Sequence, residues 1–291
     1  MNRKVVDTAV PHSGIVERKV NVWSSEVVDC QNDSIAQEVA VALVYNGISH
    51  AVMMVSPLDL EAFALGFSLT EGIINHAEDI YDIDIVAQKK GIEVALSISS
   101  RSFMQLKNRR RNLTGRTGCG ICGSQSLEQV RPVLEVIKTH FKINHAAINR
   151  ATADLAVHQP LQVLTGALHG AAWCNVDGNI INVCEDIGRH NALDKLIGLL
   201  SPSNIGKQKL KQQVIHPSIF QQPGFLLISS RASYEIVQKA AKVGIAVVVA
   251  VSAPTSLAID IAEEAGITLI GFSRQNRHVV YTHGQRLAEK G

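Results

Sequence analysis

The segment FLLISSRASYEIVQKAAKVGIAVVVAVSAPTSLAIDIAEEAGITLIG, residues 225–271, carries three short apolar runs: Phe225–Ser229, Ile245–Val251 and Thr268–Gly271. Two runs of helical period, Tyr234–Lys242 and Ser256–Ala265, lie between them. Runs this short and rich in Val, Ile and Leu suit strands buried on both faces. The helical intervals suit right-handed crossovers between parallel neighbours. The segment therefore predicts an α/β domain.

Upstream, Gly170–Val176 and Asn179–Glu185 read as strands joined by a tight Asp177-Gly178 turn. Arg189–Leu200 reads as a helix with Leu193, Leu196, Ile197 and Leu200 on one face, and polar Ser201–Gln222 as a loop or insertion. Thr152–Leu164 and Ser126–Phe141 read as further helices. Nearer the start, Glu38–Tyr45 and Ile48–Val55 flank Asn46-Gly47, a strong hairpin signal. Ser56 is the expected N-cap, with Pro57 in the first turn, of a helix running to about Glu71-Gly72. A second hairpin is expected from Ile80–Ala87 and Glu93–Ser99, turning at Lys90-Gly91, then a short helix at Phe103–Lys107 and a polar loop from Asn108. The first thirty or so residues lack a sustained period and predict one strand plus irregular structure. Two units follow: a smaller mixed α+β N-terminal lobe, 1–145, with hairpins and a cysteine loop, and an α/β domain, 146–291.

Composition agrees with that division. Of 291 residues 46% are hydrophobic but only 4% aromatic, so the core is built from Val, Ile, Leu and Ala, as parallel sheets are. A net charge of +2 argues against nucleic acid as a partner of the whole molecule and confines any anion site to a local patch. No apolar run approaches the roughly 18 residues of a membrane span, and no signal-like apolar stretch follows Arg3 and Lys4. The expectation is a cytoplasmic protein with no membrane segment. Five cysteines, an odd number, suit reduced thiols better than a disulfide framework.

Cys119 and Cys122 form a CxxC among Gly115, Gly118, Gly120 and Gly123. Glycine lets the backbone bend sharply and lets a bulky partner approach the sulfur. The thiolate is the nucleophile, and Arg116, the Arg109–Arg111 run and a following helix N-terminus could favour it. On these residues alone three other readings stay open: a structural zinc site, a thioredoxin-type redox pair, and a glycine-rich turn with incidental thiols. Zinc would want a second close pair, whereas Cys174 and Cys184 are ten apart.

Phe272, Ser273, Arg274, Gln275, Asn276 and Arg277 follow the last predicted strand, where open α/β sheets place ligands. Two guanidinium forks suit a pyrophosphate, three polar side chains suit phosphate or guanine edges, and Phe272 suits stacking on a base. The plain alternative is a solvated polar loop. The Arg109–Arg111 run is either a solvated face or an attractor for phosphates or an acidic partner. His169 and His190 are as compatible with structural as with ligand-contacting roles. Asp186 and Asp194 could orient Arg189 or Lys195, or cap the helix.

Several ordered motifs together resemble the FdhD family of formate dehydrogenase accessory sulfurtransferases. They are Thr117–Gly123, Thr165–Ala172, Glu185–Lys195, Ser230–Glu235, Ala253–Ser256 and Gly271–Arg277. The resemblance runs from about Val39 to the C-terminus. It implies a cytidine-deaminase-like three-layer fold for the C-terminal domain, and a homodimer. It implies a sulfur carrier that takes sulfur as a persulfide from a cysteine desulfurase. Delivery is to the molybdenum cofactor, bis-molybdopterin guanine dinucleotide, of the formate dehydrogenase catalytic subunit. On that analogy Cys119 carries the persulfide, Cys122 is the accessory thiol, and Phe272–Arg277 binds the cofactor, with no intrinsic metal. Deaminase chemistry is disfavoured: His169 is followed by Gly170-Ala171, which leaves no Glu for the general acid, and the CxxC comes first. A chaperone that holds the cofactor without sulfur chemistry is the rival reading.

Overall fold

The computed structural model of the chain describes residues 14–24, 27–114, 134–202, 222–274 and 276–288, the side chains of 27 and 110–114 excepted. Strands β1 (Ile15–Ser24) and β2 (Val27–Ala36) pair antiparallel from Ile15↔Ala36 to Ser24↔Val27. The single strand expected here is thus a regular hairpin. Neither of its faces is buried in a core, so its sequence carries no alternation to betray it.

β3 (Val39–Tyr45) and β4 (Ile48–Val55) turn at Asn46-Gly47, both at positive φ (46° and 79°), as a type I′ turn requires. Helix α1 (Leu60–Thr70) precedes β5 (Ile80–Gln88), β6 (Gly91–Ile98) and helix α2 (Ser100–Thr114). The sheet order is β4-β3-β6-β5, with β3 and β6 parallel between two antiparallel hairpins. Phe63, Phe67, Leu43, Tyr45, Leu96 and Leu106 fill the core beneath it. α1 starts later than expected, with Asp59 rather than Ser56 at its N-cap. α2 is longer than expected and its backbone takes in the arginine run.

Residues 134–142 contain no helix, against the helix expected over Ser126–Phe141. Leu134, Ile137 and Phe141 instead pack as an irregular strap on the C-terminal cores. Ile137 N–H donates to Ala265 O (2.9 Å), and Ile143 bridges to Leu287. An i, i+3, i+7 spacing fits either arrangement. The single helix expected at Thr152–Leu164 is broken into α3 (His145–Asp154), a 3₁₀ turn (Leu155–His158) and α4 (Pro160–Thr165). Pro160 cannot donate to a continuing helix and drives Gln159 off helical geometry (φ −117°, ψ 65°).

The remaining elements are β7 (His169–Asn175), β8 (Ile180–Asp186), α5 (Arg189–Leu200), β9 (Gly224–Ile228), α6 (Tyr234–Lys242), β10 (Val247–Ala250), α7 (Ser256–Ala265), β11 (Thr268–Arg274) and β12 (Arg277–Val280). They build one six-stranded sheet, ordered β12-β11-β10-β9-β7-β8. β9, β10 and β11 are parallel; β7 runs antiparallel to both neighbours and β12 antiparallel to β11. One face buries Leu226, Val248 and Leu269 under α5, α6 and α7; the other buries Phe225, Val247 and Ile270 under α3. The chain is a mixed α/β protein, and no helix among the described residues is long and apolar enough to cross a membrane.

α1 joins the two sheets. It is apolar nearly all round, as a helix buried on several sides must be. A Cβ on Gly66 would collide with the carbonyl of Asp194, and one on Gly198 with that of Ala62. The backbones of α1 and α5 therefore touch directly.

Candidate functional site

The parallel strands end at a cavity of about 520 Å³. Its floor is the strand ends Ser229, Val251 and Arg274, with Asn276 beyond them. Its other wall is Asn149, Thr152 and Ala153 of α3, Leu155 and Ala156 of the 3₁₀ turn, then Gln159, Gln162 and Val163. This carboxyl edge is where crossover connections leave room for a ligand.

The expected polar loop after Gly271 is the end of β11 turning back as β12. Ile270 and Gly271 pair with Val280 and Val279, and a register shift lies between Gly271 and Arg274. Phe272 and Asn276 take positive φ (52° and 59°), strained for non-glycine residues. Arg274 Cζ lies 5.8 Å from the Phe272 ring centroid. Ser273 is fully buried, its hydroxyl 2.7 Å from that of Thr152, so it ties the hairpin to α3. Arg274 and Asn276 line the cavity; Arg277 is exposed at the start of β12, and Gln275 lies outside the described residues.

The residues that sequence reasoning missed are amides and two histidines. Gln159 is 3% exposed, and its Nε2 has no hydrogen-bond partner among the described residues. Gln162 Oε1 accepts from Leu168 N–H at 2.6 Å. His278 Nδ1 is 3.3 Å from Asn149 Oδ1, and its Nε2 is 2.6 Å from His145 Nδ1, the two rings being stacked. Burial, then the neighbouring His145, holds the His278 pKa below the usual imidazole range. Asn149, Thr152, Ala156 and Gln159 follow a helical period, and that was the only signal available.

The motif Glu185–Lys195 does a different job. Asp186 and Lys195, both fully buried, form an ion pair of 2.7 Å. Asp186 also accepts from Ser56 Oγ (2.8 Å) and N–H (3.0 Å), Gly188 N–H (2.8 Å) and Asn191 Nδ2 (2.9 Å). Lys195 also donates to Ser56 O at 2.9 Å. Ser56 is diverted from capping α1 into this knot. Next to Lys195 on α5, Asp194 accepts from Lys239 at 2.9 Å and from Thr70 Oγ1 at 2.8 Å, and Lys239 also reaches Glu71 at 2.9 Å. Burial pushes the Asp194 carboxyl up to about 6 despite these partners.

His190 lies 2.8 Å from the Glu235 carboxylate and 3.3 Å from Ser233 Oγ. Burial lowers its pKa, with Glu235 opposing. The His169 pKa is lowered by burial and then by Arg189, so both histidines feel the same guanidinium. Ser230 is buried and donates to Arg231 O (3.1 Å). Arg109 donates to Glu71 O (3.2 Å) at the end of α1; the side chains of Arg110 and Arg111 lie outside the described residues.

Cys119 and Cys122 also lie outside the described residues. Of the others, Cys30 is exposed, while Cys174 and Cys184 are buried in different cores, on opposite faces of the sheet. Burial pushes both buried thiols up to about 12, so they remain protonated and inert near neutral pH.

Comparison with known proteins places these features in company. The sequence model of the FdhD/NarQ family matches residues 36–288. The chain is 50% identical over 268 residues to a protein of Cupriavidus necator named sulfur carrier protein FdhD, covering 92% of this chain and 88% of that one. It is 48% identical over 251 residues to a protein of the same name from Acinetobacter baylyi, covering 86% of each. Its fold matches the crystal structure of a protein from Desulfotalea psychrophila described as a formate dehydrogenase accessory protein. That match has a TM-score of 0.69 and 21% identity, covering 94% of this chain and 99% of that one.

Proposed function

The chain belongs to the FdhD/NarQ family, and on that footing we propose that it is a sulfur carrier serving formate dehydrogenase, with Cys119 as the carrying residue. The observation that carries this reading is the 50% identity to a protein named a sulfur carrier, sustained over 92% of the chain. The inertness of Cys174 and Cys184 supports it, because it removes two of the five thiols from the chemistry.

The proposed cycle balances with a cysteine desulfurase persulfide as sulfur donor and an external thiol as reductant. Cys119 thiolate attacks the terminal sulfur of a cysteine desulfurase persulfide; that S–S bond breaks, and the donor leaves as its thiolate. Cys122 thiolate then attacks Cys119 Sγ. The terminal sulfur departs as sulfide onto the molybdenum of the bound cofactor, and a Cys119–Cys122 disulfide forms. A thiol reductant resets the pair. The cofactor, bis-molybdopterin guanine dinucleotide, is the substrate, and the cavity beside Phe272–Arg277 is its proposed nucleotide grip. Arg274 and Asn276 line that cavity and Ser273 anchors the hairpin.

The finer architecture belongs to the same proposal: a cytidine-deaminase-like C-terminal domain from 146 and an N-terminal lobe of 1–145, working as a homodimer in the cytoplasm. Two sheets with separate cores support two units, with Leu134, Ile137, Phe141 and Ile143 packing on the C-terminal side. The test is intact-protein mass spectrometry after incubation with a desulfurase and cysteine. A single sulfur, removable by reductant and absent from Cys119→Ala, is expected. A Cys119→Ala variant that still activates formate dehydrogenase would instead favour a cofactor-holding chaperone. Stoichiometric zinc, lost when both cysteines are replaced, would favour a structural metal site.

A further inference from the structure

The β1–β2 hairpin stands outside both larger sheets, and two strands alone are at best marginally stable in water. Its root is held. Gln37 N–H donates to Gly14 O at 2.8 Å, β2 packs on α4, and a Cβ on Gly14 would meet Leu161 of that helix. Its tip is not: Trp23 is 74% exposed, and its cross-strand partner Val28 and neighbour Val22 are exposed with it. A second apolar patch lies at the root, where α4 and the 3₁₀ turn before it leave Val157, Val163 and Leu164 exposed. Ten residues per strand put about 34 Å between root and tip, so no arm covers its own patch. Two arms laid side by side in opposite directions bring each tip to the other's root, the exchange that a two-fold axis generates. The root half balances Arg18 and Lys19 with Glu17 and Asp33, and the tip half carries Asp29. Parallel arms would oppose Asp29 to its own copy, whereas antiparallel arms bring it alongside Arg18. A ribbon about 34 Å by about 10 Å covers about 340 Å² of its mate. With two Trp side chains of about 150–250 Å² each on two patches, the total passes the roughly 1,000 Å² of a specific interface.

We propose that two copies of this chain clasp by exchanging their β1–β2 arms, the Trp23–Val28 tip of each docking on Val163 and Leu164 of the other. The FdhD/NarQ sequence match begins at residue 36, so the arm lies outside the part of the chain that the family model describes. Val163 also lines the cavity, so each tip stands at the mouth of the other copy's cavity. The proposal rests on the homodimer reading above and adds to it the surface that joins the copies.

The test follows the mass of the full chain by light scattering, and its tryptophan emission, as concentration rises. The chain has two tryptophans and Trp173 is buried in its own core, so a blue shift on association reports Trp23. Trp23→Glu and Val163→Lys both fall at exposed positions and should keep the wild-type far-ultraviolet circular dichroism. Each should weaken association at least about tenfold; Leu164→Lys replaces Val163→Lys should that variant misfold. Mixed together, the two variants should associate more tightly than either does alone. The mixed pair keeps one native contact, Trp23 on Val163, and sets Glu against Lys at the other. Variants that dimerise as tightly as the wild type, or an emission that stays unshifted as the mass doubles, overturn the arm exchange and leave a homodimer formed elsewhere. A mixture no tighter than its components overturns the tip-to-root pairing. A wild-type chain that stays monomeric at every concentration overturns this proposal and the homodimer reading together.

Discussion

The α1–α5 seam, where Asp186 and Asp194 are bonded, and the cavity wall are both dense in polar side chains, but they differ in how those side chains are met. In the seam, Asp186 Oδ1 and Oδ2 accept four protein hydrogen bonds besides its ion pair with Lys195. In the cavity wall, Gln159 Nε2 has no partner among the described residues, and Asn149 and Gln162 each have a carbonyl engaged. Polarity alone does not mark a site. A buried polar group whose bonds are completed by protein ties the two sheets together.

The strongest way to break that contrast is Asp186→Ala. It strands Lys195 in a dry interior and should cost about 3–5 kcal/mol, read by urea denaturation. The pair Asp186→Leu with Lys195→Met should recover most of this; a single variant with a wild-type midpoint would sink the distinction. Gly198→Ala comes next, since forcing α1 from α5 should cost about 1–3 kcal/mol. Ser273→Ala should cost about 1 kcal/mol by loosening the hairpin from α3. Arg274→Ala lies at the far end: its denaturation midpoint should stay at the wild-type value while GDP affinity falls.

Acid sharpens the same comparison. His169, His190 and His278 are held below the ordinary imidazole range chiefly by burial. The unfolded chain therefore binds protons that the folded sites refuse. The stability these sites contribute is complete above about pH 6.5 and drains as pH falls through their lowered values. Asp194, raised to about 6, has the opposite sign: its term favours the fold in acid and is lost as pH rises through that value. Comparing midpoints at about pH 7.5 and 5, His278→Phe should lose less stability on acidification than the wild type.

Much of the scaffold was legible because it depends on local chemistry. Asn46-Gly47 announced its turn because few other dipeptides tolerate two positive φ values. Residues 225–271 announced their strands and helices through buried periodicity. What escaped was decided at a distance. Ser56 has the right neighbours for an N-cap, yet its hydroxyl goes to Asp186, 130 residues away. Leu134, Ile137 and Phe141 have a helical spacing that a strap satisfies equally well. Arg274 and Asn276, read from the sequence as strand-end residues, line the cavity. Asn149 and Gln162, which line it too, carry no local signal, because only the fold brings α3 and α4 to the strand ends.

The seam also bears on how the protein is made. Helix α1 emerges from the ribosome with nearly every face apolar, and Ser56 precedes the carboxylate it binds by 130 residues. At ordinary elongation speeds that is a wait of roughly 6–26 s. Throughout it, the nascent N-terminal half presents a sticky, unfinished surface. Chaperone occupancy on stalled chains should therefore peak before α5 is synthesised and drop once Asp186 and Gly198 have cleared the exit tunnel.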